Sequence, residues 1–386
     1  MVLLFELIQL ALGNRKELSK VPSDKEWNAV FEEAGNQAVA GICIAGVDWL
    51  TVHGSRFMVN MPLELKLEWI GLSEQIRQQN AHVDKQTAQI WRLLKEDGLD
   101  AAILKGQGIA TLYGTELGEL RQSGDIDIWV KGGYEKVCDY VQRTHPTDDV
   151  AYHRFHYDYF EDTEVEMHHR PTLMRNLLDD RKLALWYNSF GADSFVYLED
   201  KGFAVPSVEF NRIFILTHIY RHFLFEGIGL RQVMDYYFVL KHEMVQGSMF
   251  KVQEIKLLKE LRLMRFAEAM MWILHTQLGL EEQYLICGVN EKEGRFVLSE
   301  IEHTGNFGYS DTRYQYKQFF KLRRQIAHGS HLMLHYPSEV IWTPIWLVYH
   351  KVWKWNKIRN IRKNKKYGFD IHNYCGATGS GGAGVL

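Results

Sequence analysis

Two aspartates spaced one residue apart inside an apolar stretch, Asp125-Ile126-Asp127-Ile128-Trp129-Val130, constrain this chain more than any other segment. Side chains alternate across a strand, so Asp125, Asp127 and Trp129 share one face and Ile126, Ile128 and Val130 form the opposite, buried one. Aspartate is a poor strand former, and two of them in so short a strand imply a reason to tolerate them. Upstream, the apolar run 101–104 is stopped by Lys105-Gly106-Gln107-Gly108, and 109–113 can begin a helix. The expected order is therefore strand, glycine turn, helix, then the aspartate strand.

Downstream, 151–160 and 163–168 alternate like a hairpin around Glu161-Asp162. In its second arm Val165 and Met167 share one face, and Glu164, Glu166 and His168 share the other. Two or three carboxylates on adjacent strands suffice to hold Mg2+ or Mn2+, which keep oxygen ligands and several waters. Nucleotidyl transfer asks a protein for little more than such a metal site and a phosphate cradle, because the work is positioning and charge neutralisation. Asp125 and Asp127 supply two ligands. If the Glu166 strand lies beside theirs, Glu166 supplies the third, with Glu164 as the alternative.

An Asp-x-Asp pair by itself is more often structural than catalytic, and the glycine turn before it and the glutamate strand after it shift the balance. Gly106, Gln107 and Gly108 are expected to present backbone N–H groups to phosphates at a helix start. Lys105 and Arg121 are the candidate phosphate cations, the first as a point charge and the second as a bidentate fork. For Lys105 an ion pair within the protein is an equal reading. Ser123 joins this cradle or shapes the turn before the strand.

Leu104-Lys105-Gly106, Leu112-Tyr113 and Arg121-Gln122-Ser123-Gly124-Asp125-Ile126-Asp127 together resemble the signature of a largely uncharacterised bacterial nucleotidyltransferase-like family of the polymerase-beta-type superfamily. Val165-Glu166-Met167-His168 resembles its third-carboxylate strand, and His218, His222 and Leu230-Arg231-Gln232-Val233-Met234-Asp235 are similar to the helical part that follows. The resemblance implies Asp125, Asp127 and Glu166 as metal ligands and catalytic groups, and Gly106 with its neighbours as the triphosphate turn. It implies transfer of an NMP from an NTP to a hydroxyl acceptor with release of pyrophosphate. One departure is visible: the usual Gly-Gly or Gly-Ser pair stands here as Gly106-Gln107-Gly108, without serine beside the first glycine.

Around this centre the pattern is helical. Periodic apolar residues predict helices over 3–12, 25–38 and 63–96, and, after Pro206, over 208–225, 230–241 and 250–278. The expected fold is α+β: a helical region over 1–100, a small mixed sheet with flanking helices over 101–205, a larger helical domain over 206–366, and a flexible tail over 367–386 rich in glycine. Four dispersed cysteines offer neither a disulfide framework nor a zinc ribbon, and a reducing cytoplasm fits them. Histidines 218 and 222 stand one turn apart without the glutamate of a zinc peptidase beside the first, so packing between helix and sheet is preferred, with Asp235 as a partner. Residues 313–366 carry thirteen Lys and Arg against one acid, Glu339, in a chain of net charge -3. Within them, 342–366 interleaves tryptophans with lysines, which suits a helix packed on its own core, and equally RNA or an anionic membrane. A non-catalytic nucleotide-binding module is the other class the sequence admits.

Overall fold

The computed structural model describes residues 1–53, 60–242, 247–308, 311, 313 and 331–366. The chain opens with helices α1 (Val2–Ala11), α2 (Asp24–Asn36), α3 (Ala40–His53) and the long α4 (Leu63–Glu96). Helix α3 is absent from the sequence expectation, because its residues are apolar on all sides and show no helical period. A helix apolar all round is a buried one. Two glycines permit this: a Cβ on Gly46 would stand 2.1 Å from the Leu7 carbonyl oxygen of α1, and one on Gly41 would stand 2.3 Å from that of Leu120.

The sheet region follows as β1 (Ala101–Ile103), α5 (Lys105–Ala110), α6 (Thr115–Leu120), β2 (Ile126–Val130), α7 (Gly133–Thr144), β3 (Arg154–His156) and β4 (Val165–His168). The four strands lie in the order β1-β2-β4-β3, with β2 and β4 parallel and both outer pairs antiparallel. Parallel neighbours cannot be joined by a tight hairpin, and here the crossover runs through α7 and β3. After α8 (Leu177–Asn188), a two-stranded hairpin of β5 (Phe195–Leu198) and β6 (Phe203–Pro206) leads into the helical body. That body comprises α9 (Val208–Phe225), α10 (Leu230–Lys241), α11 (Gly247–Glu260), α12 (Met264–Trp272), α13 (Glu291–Thr304) and α14 (Pro337–Lys366). The glycine-rich end of the sequence, from 367 on, lies outside the described residues.

Two hydrophobic cores meet at β2. Ile126, Ile128 and Val130 face a core shared with Val83, Ile90 and Leu94 of α4 and Val137 and Val141 of α7. The opposite face is covered as well, which the alternation of polar and apolar residues did not suggest. Trp129 stacks on Phe210 of α9 at 4.9 Å and meets Tyr187 and Phe195 edge-on, joining the large core of the helical body. That large core also includes Leu4, Leu7, Ile8, Ile44 and Val47, so the N-terminal and C-terminal helices share one interior. No helix among the described residues is long and apolar enough to cross a membrane.

Candidate active site

Register brings the acidic side chains together. In the parallel ladder Asp127 stands opposite Glu166 and Trp129 opposite His168, and side chains at paired positions project to the same face. The antiparallel partner strand sets Arg154 opposite His168 and His156 opposite Glu166. The result is a wall of Asp127, Glu166, His168 and Arg154 at the end of the sheet where α9 and α10 pass over it. One oxygen or nitrogen from each of Asp127, Glu166 and His168 lies within 4.8 Å of the others. Asp125 sits one residue ahead of β2, outside the ladder, and lines the same cavity. Among the described residues it makes no hydrogen bond or ion pair, in contrast to the other carboxylates of the site.

Asp127 is the centre of the network. It is 2% exposed, receives the Lys105 ammonium at 2.8 Å on one oxygen, and accepts from the His168 Nε2–H at 2.7 Å on the other. Burial alone would raise its pKa, but the ammonium and the imidazole overcome that and hold it below the ordinary carboxylate range. His168 gains in return: burial disfavours its cation, and the hydrogen bonds to Asp127 and Glu166 more than offset this, so its pKa is raised. Glu166 moves the other way, raised by burial and by the neighbouring Asp127 charge even though Arg154 holds it at 2.8 Å. Two carboxylates this close, one favouring its proton and one its charge, form the type of pair a divalent cation relieves.

The glycine turn lies beside this wall. Lys105 adopts φ 39° and Gly106 φ 32°, a left-handed bend that a side chain adopts only at a cost of order 1–3 kcal/mol. It delivers the Lys105 ammonium to Asp127. Gly108 is needed for approach, since a Cβ there would meet the Ile103 carbonyl oxygen at 2.6 Å. Gln107 points away from the cavity: its amide donates to Asp84 of α4, and its carbonyl oxygen accepts from the Ser123 hydroxyl. Ser123 and Gln107 therefore tie the turn to the loop before β2.

Arg121, read from sequence as a phosphate fork, is committed within the protein. Its Nε and Nη2 donate to the two oxygens of Asp235 at 2.6 and 2.7 Å, and the Tyr113 hydroxyl donates to the same carboxylate at 2.7 Å. Asp235 thus partners an arginine and a tyrosine, and the expected histidine partnership is not present. The fork lines the cavity as a neutral pair that clamps α10 to the loop before β2.

Helices α9 and α10 close the cavity with two arginines that sequence reading left without a role. Arg221 contacts His153 Nε2 at 2.9 Å and His222 Nε2 at 3.2 Å, with Glu226 at 3.9 Å. Arg231 donates to the Gln122 carbonyl at 2.8 Å and reaches Asn306 Oδ1 at 3.5 Å, and it has no carboxylate in contact among the described residues. The Nε atoms of both arginines are buried and have no partner among the described residues, and burial lowers both pKa values. His218, His222 and His153 line the same space, all with pKa values lowered by burial and, next, by neighbouring cations. Glu226, paired with His222 at 2.5 Å, is held at about 2 because His222 and Arg221 outweigh its burial. The cavity bounded by these groups is about 230 Å³. That is below the roughly 300–1,000 Å³ of pockets for drug-sized ligands, so its closed part suits small charged groups.

A divalent cation fits this donor set: two hard carboxylates and a third at the rim, with an imidazole hydrogen-bonded to the central one, as second-layer partners of ligating carboxylates commonly are. His168 Nδ1 is buried without a partner among the described residues, beside the carboxylate pair.

A small mixed sheet with a carboxylate-bearing parallel pair, a preceding glycine turn and a covering helical body make an α+β protein, compatible with a nucleotidyltransferase-like fold. The chain belongs to the family described as uncharacterised nucleotidyltransferase, whose model matches residues 23–279. Among solved structures it is similar to an antigenic nucleotidyltransferase-like protein from Paracoccidioides brasiliensis, at 11% identity over 51% of this chain and 92% of that one, with a TM-score of 0.28. A likeness that slight carries no argument. No curated protein matches the chain.

Proposed function

We propose that this protein transfers a nucleoside monophosphate from an NTP to a hydroxyl acceptor and releases pyrophosphate. The observation that carries the reading is the side-by-side placement of Asp127 and Glu166 on parallel strands, at the mouth of the Lys105-Gly106 turn. Family membership supports the reaction class. Asp125, Asp127 and Glu166 are the residues that would hold Mg2+ or Mn2+, which on binding neutralises phosphate charge and orients the reacting oxygens.

The chain's own groups then have distinct tasks. Lys105 balances the buried Asp127 charge and places one cation at the turn, where Gly106 lines the cavity and lets the backbone come close to a phosphate. Arg221 and Arg231, rather than Arg121, are the arginines with donors left for phosphate oxygens. Arg154 holds Glu166 in place and His168 holds Asp127. Glu166, with its raised pKa, is the carboxylate suited to take the acceptor's hydroxyl proton.

Asp125→Asn is the cleanest test, because that side chain is partly exposed and tied to nothing among the described residues. The expected result is a loss of about 100-fold or more in metal-dependent release of pyrophosphate from NTP, with the melting temperature unchanged. Turnover equal to the parent's would remove Asp125 from the metal site, and NTP binding without any product in the parent would make the protein a nucleotide-binding module.

A further inference from the structure

On the side of α14 turned away from the protein, Ile341, Ile345, Val348, Val352 and Trp355 recur at alternating intervals of four and three residues. That spacing lines them up as one narrow stripe along a helix. Their exposures are 55%, 50%, 66%, 54% and 59%, so the whole line faces outward. The opposite side is the docked one: Glu339, Trp346 and Ile361 are buried, and Trp353 packs edge-on against Tyr134 and Tyr152. Single exposed apolar residues need no explanation, but a continuous row of five does.

The charges around the stripe identify what it meets. From 340 to 366 there are eight Lys and Arg and no acid. Lys357 and Arg362 are anchored to Glu135 and Asp148, at 2.7 and 3.1 Å, which fixes the rotation of the helix on the sheet region. Lys351 flanks the stripe, Arg359 continues its line beyond Trp355, and neither has an ion pair among the described residues. We propose that α14 lays this stripe on an anionic lipid surface, burying the aliphatic row and Trp355 at the headgroup boundary while Lys351 and Arg359 meet lipid phosphates or carboxylates. A second copy of the chain fits less well, because it would bring two basic flanks together with no acid to answer them. Nucleic acid fits less well again, since four of the five stripe residues are branched aliphatics that offer no face for base stacking.

The full chain should co-sediment with phosphatidylcholine vesicles containing phosphatidylserine, stay in solution with phosphatidylcholine alone, and be released by added salt. Val348→Glu combined with Val352→Glu should weaken that binding at least about tenfold. Lys351→Glu combined with Arg359→Glu should weaken it roughly fivefold or more for each charge removed. Both pairs alter exposed positions, so melting temperatures equal to the parent's are expected and establish that the folded protein is being compared. Failure to bind the anionic vesicles, or equal binding to neutral ones, overturns the proposal. So does a parent that sediments as a dimer and becomes monomeric with the glutamate pair, which would assign the stripe to a second copy. None of these readouts depends on nucleotide turnover.

Discussion

The cavity has two walls of different construction. The strand wall is built by register: four side chains on three strands meet because Asp127, Glu166, His168 and Arg154 occupy paired positions, and each is held by another of the set or by Lys105. The helix wall is built by packing. Arg221, Arg231 and two histidines, His218 and His222, project from buried, largely apolar segments of α9 and α10, and the guanidinium Nε atoms have no partner among the described residues. One wall concentrates charge that is already compensated, whereas the other holds donors in reserve. A site that must neutralise an incoming polyanion needs both, because paired carboxylates retain a metal and uncommitted guanidiniums receive phosphate.

Asp127→Asn gives the largest expected effect and strikes the strand wall. It should abolish metal-dependent turnover, and also destabilise the protein by about 3 kcal/mol, because Lys105 is left buried without its counter-charge. Thermal unfolding alongside a pyrophosphate-release assay separates the two losses. Full stability in the Asp127→Asn protein would mean that Lys105 finds another partner and that the wall is looser than its distances imply.

The arginines divide the walls more finely. Replacing Arg231 with Met should raise KM for NTP about tenfold with little change in melting temperature, as for one charged hydrogen bond to phosphate. Arg121→Met should instead lower stability by about 3–5 kcal/mol, because Asp235 would be left unpaired in the interior. If steady-state kinetics and unfolding gave the reverse assignment, the phosphate cradle would belong to Arg121 after all.

The smallest effect concerns pH. His218 has its folded pKa lowered by burial, so acidification protonates the unfolded chain first and stability falls as pH drops below the ordinary histidine value of about 6.5. His218→Gln should therefore lose a few degrees less than the parent in melting temperature between pH 7 and pH 5. Identical slopes would show that the imidazole is hydrated and not sealed against the wall.

Part of the strand wall is readable from the sequence, since period-two alternation places Asp127 with Trp129 and Glu166 with His168. What alternation could not supply was the neighbour relation, which depends on a parallel pairing across a long crossover, and with it Arg154, whose place follows only from the β3 register. The helix wall was nearly illegible. Arg221 and Arg231 look like ordinary helix arginines in sequence, and only the packing of α9 and α10 over the sheet end turns them inward. Arg121 was misread for the same reason: a fork near a phosphate turn is indistinguishable, in one dimension, from a fork that meets Asp235 more than a hundred residues later. Helix α3 was missed because uniform apolarity has no period to detect.

The way α14 is attached has a practical consequence. Its Glu339 carboxylate accepts from the backbone N–H groups of Arg175 and Asn176, at 2.7 and 3.2 Å, just ahead of α8. Removing the helix would strip acceptors from two sequestered amides and uncover the aromatic floor beneath Trp353. Deletion of the last segment is therefore a folding experiment in disguise, and surface point changes are the means by which its outward side can be interrogated.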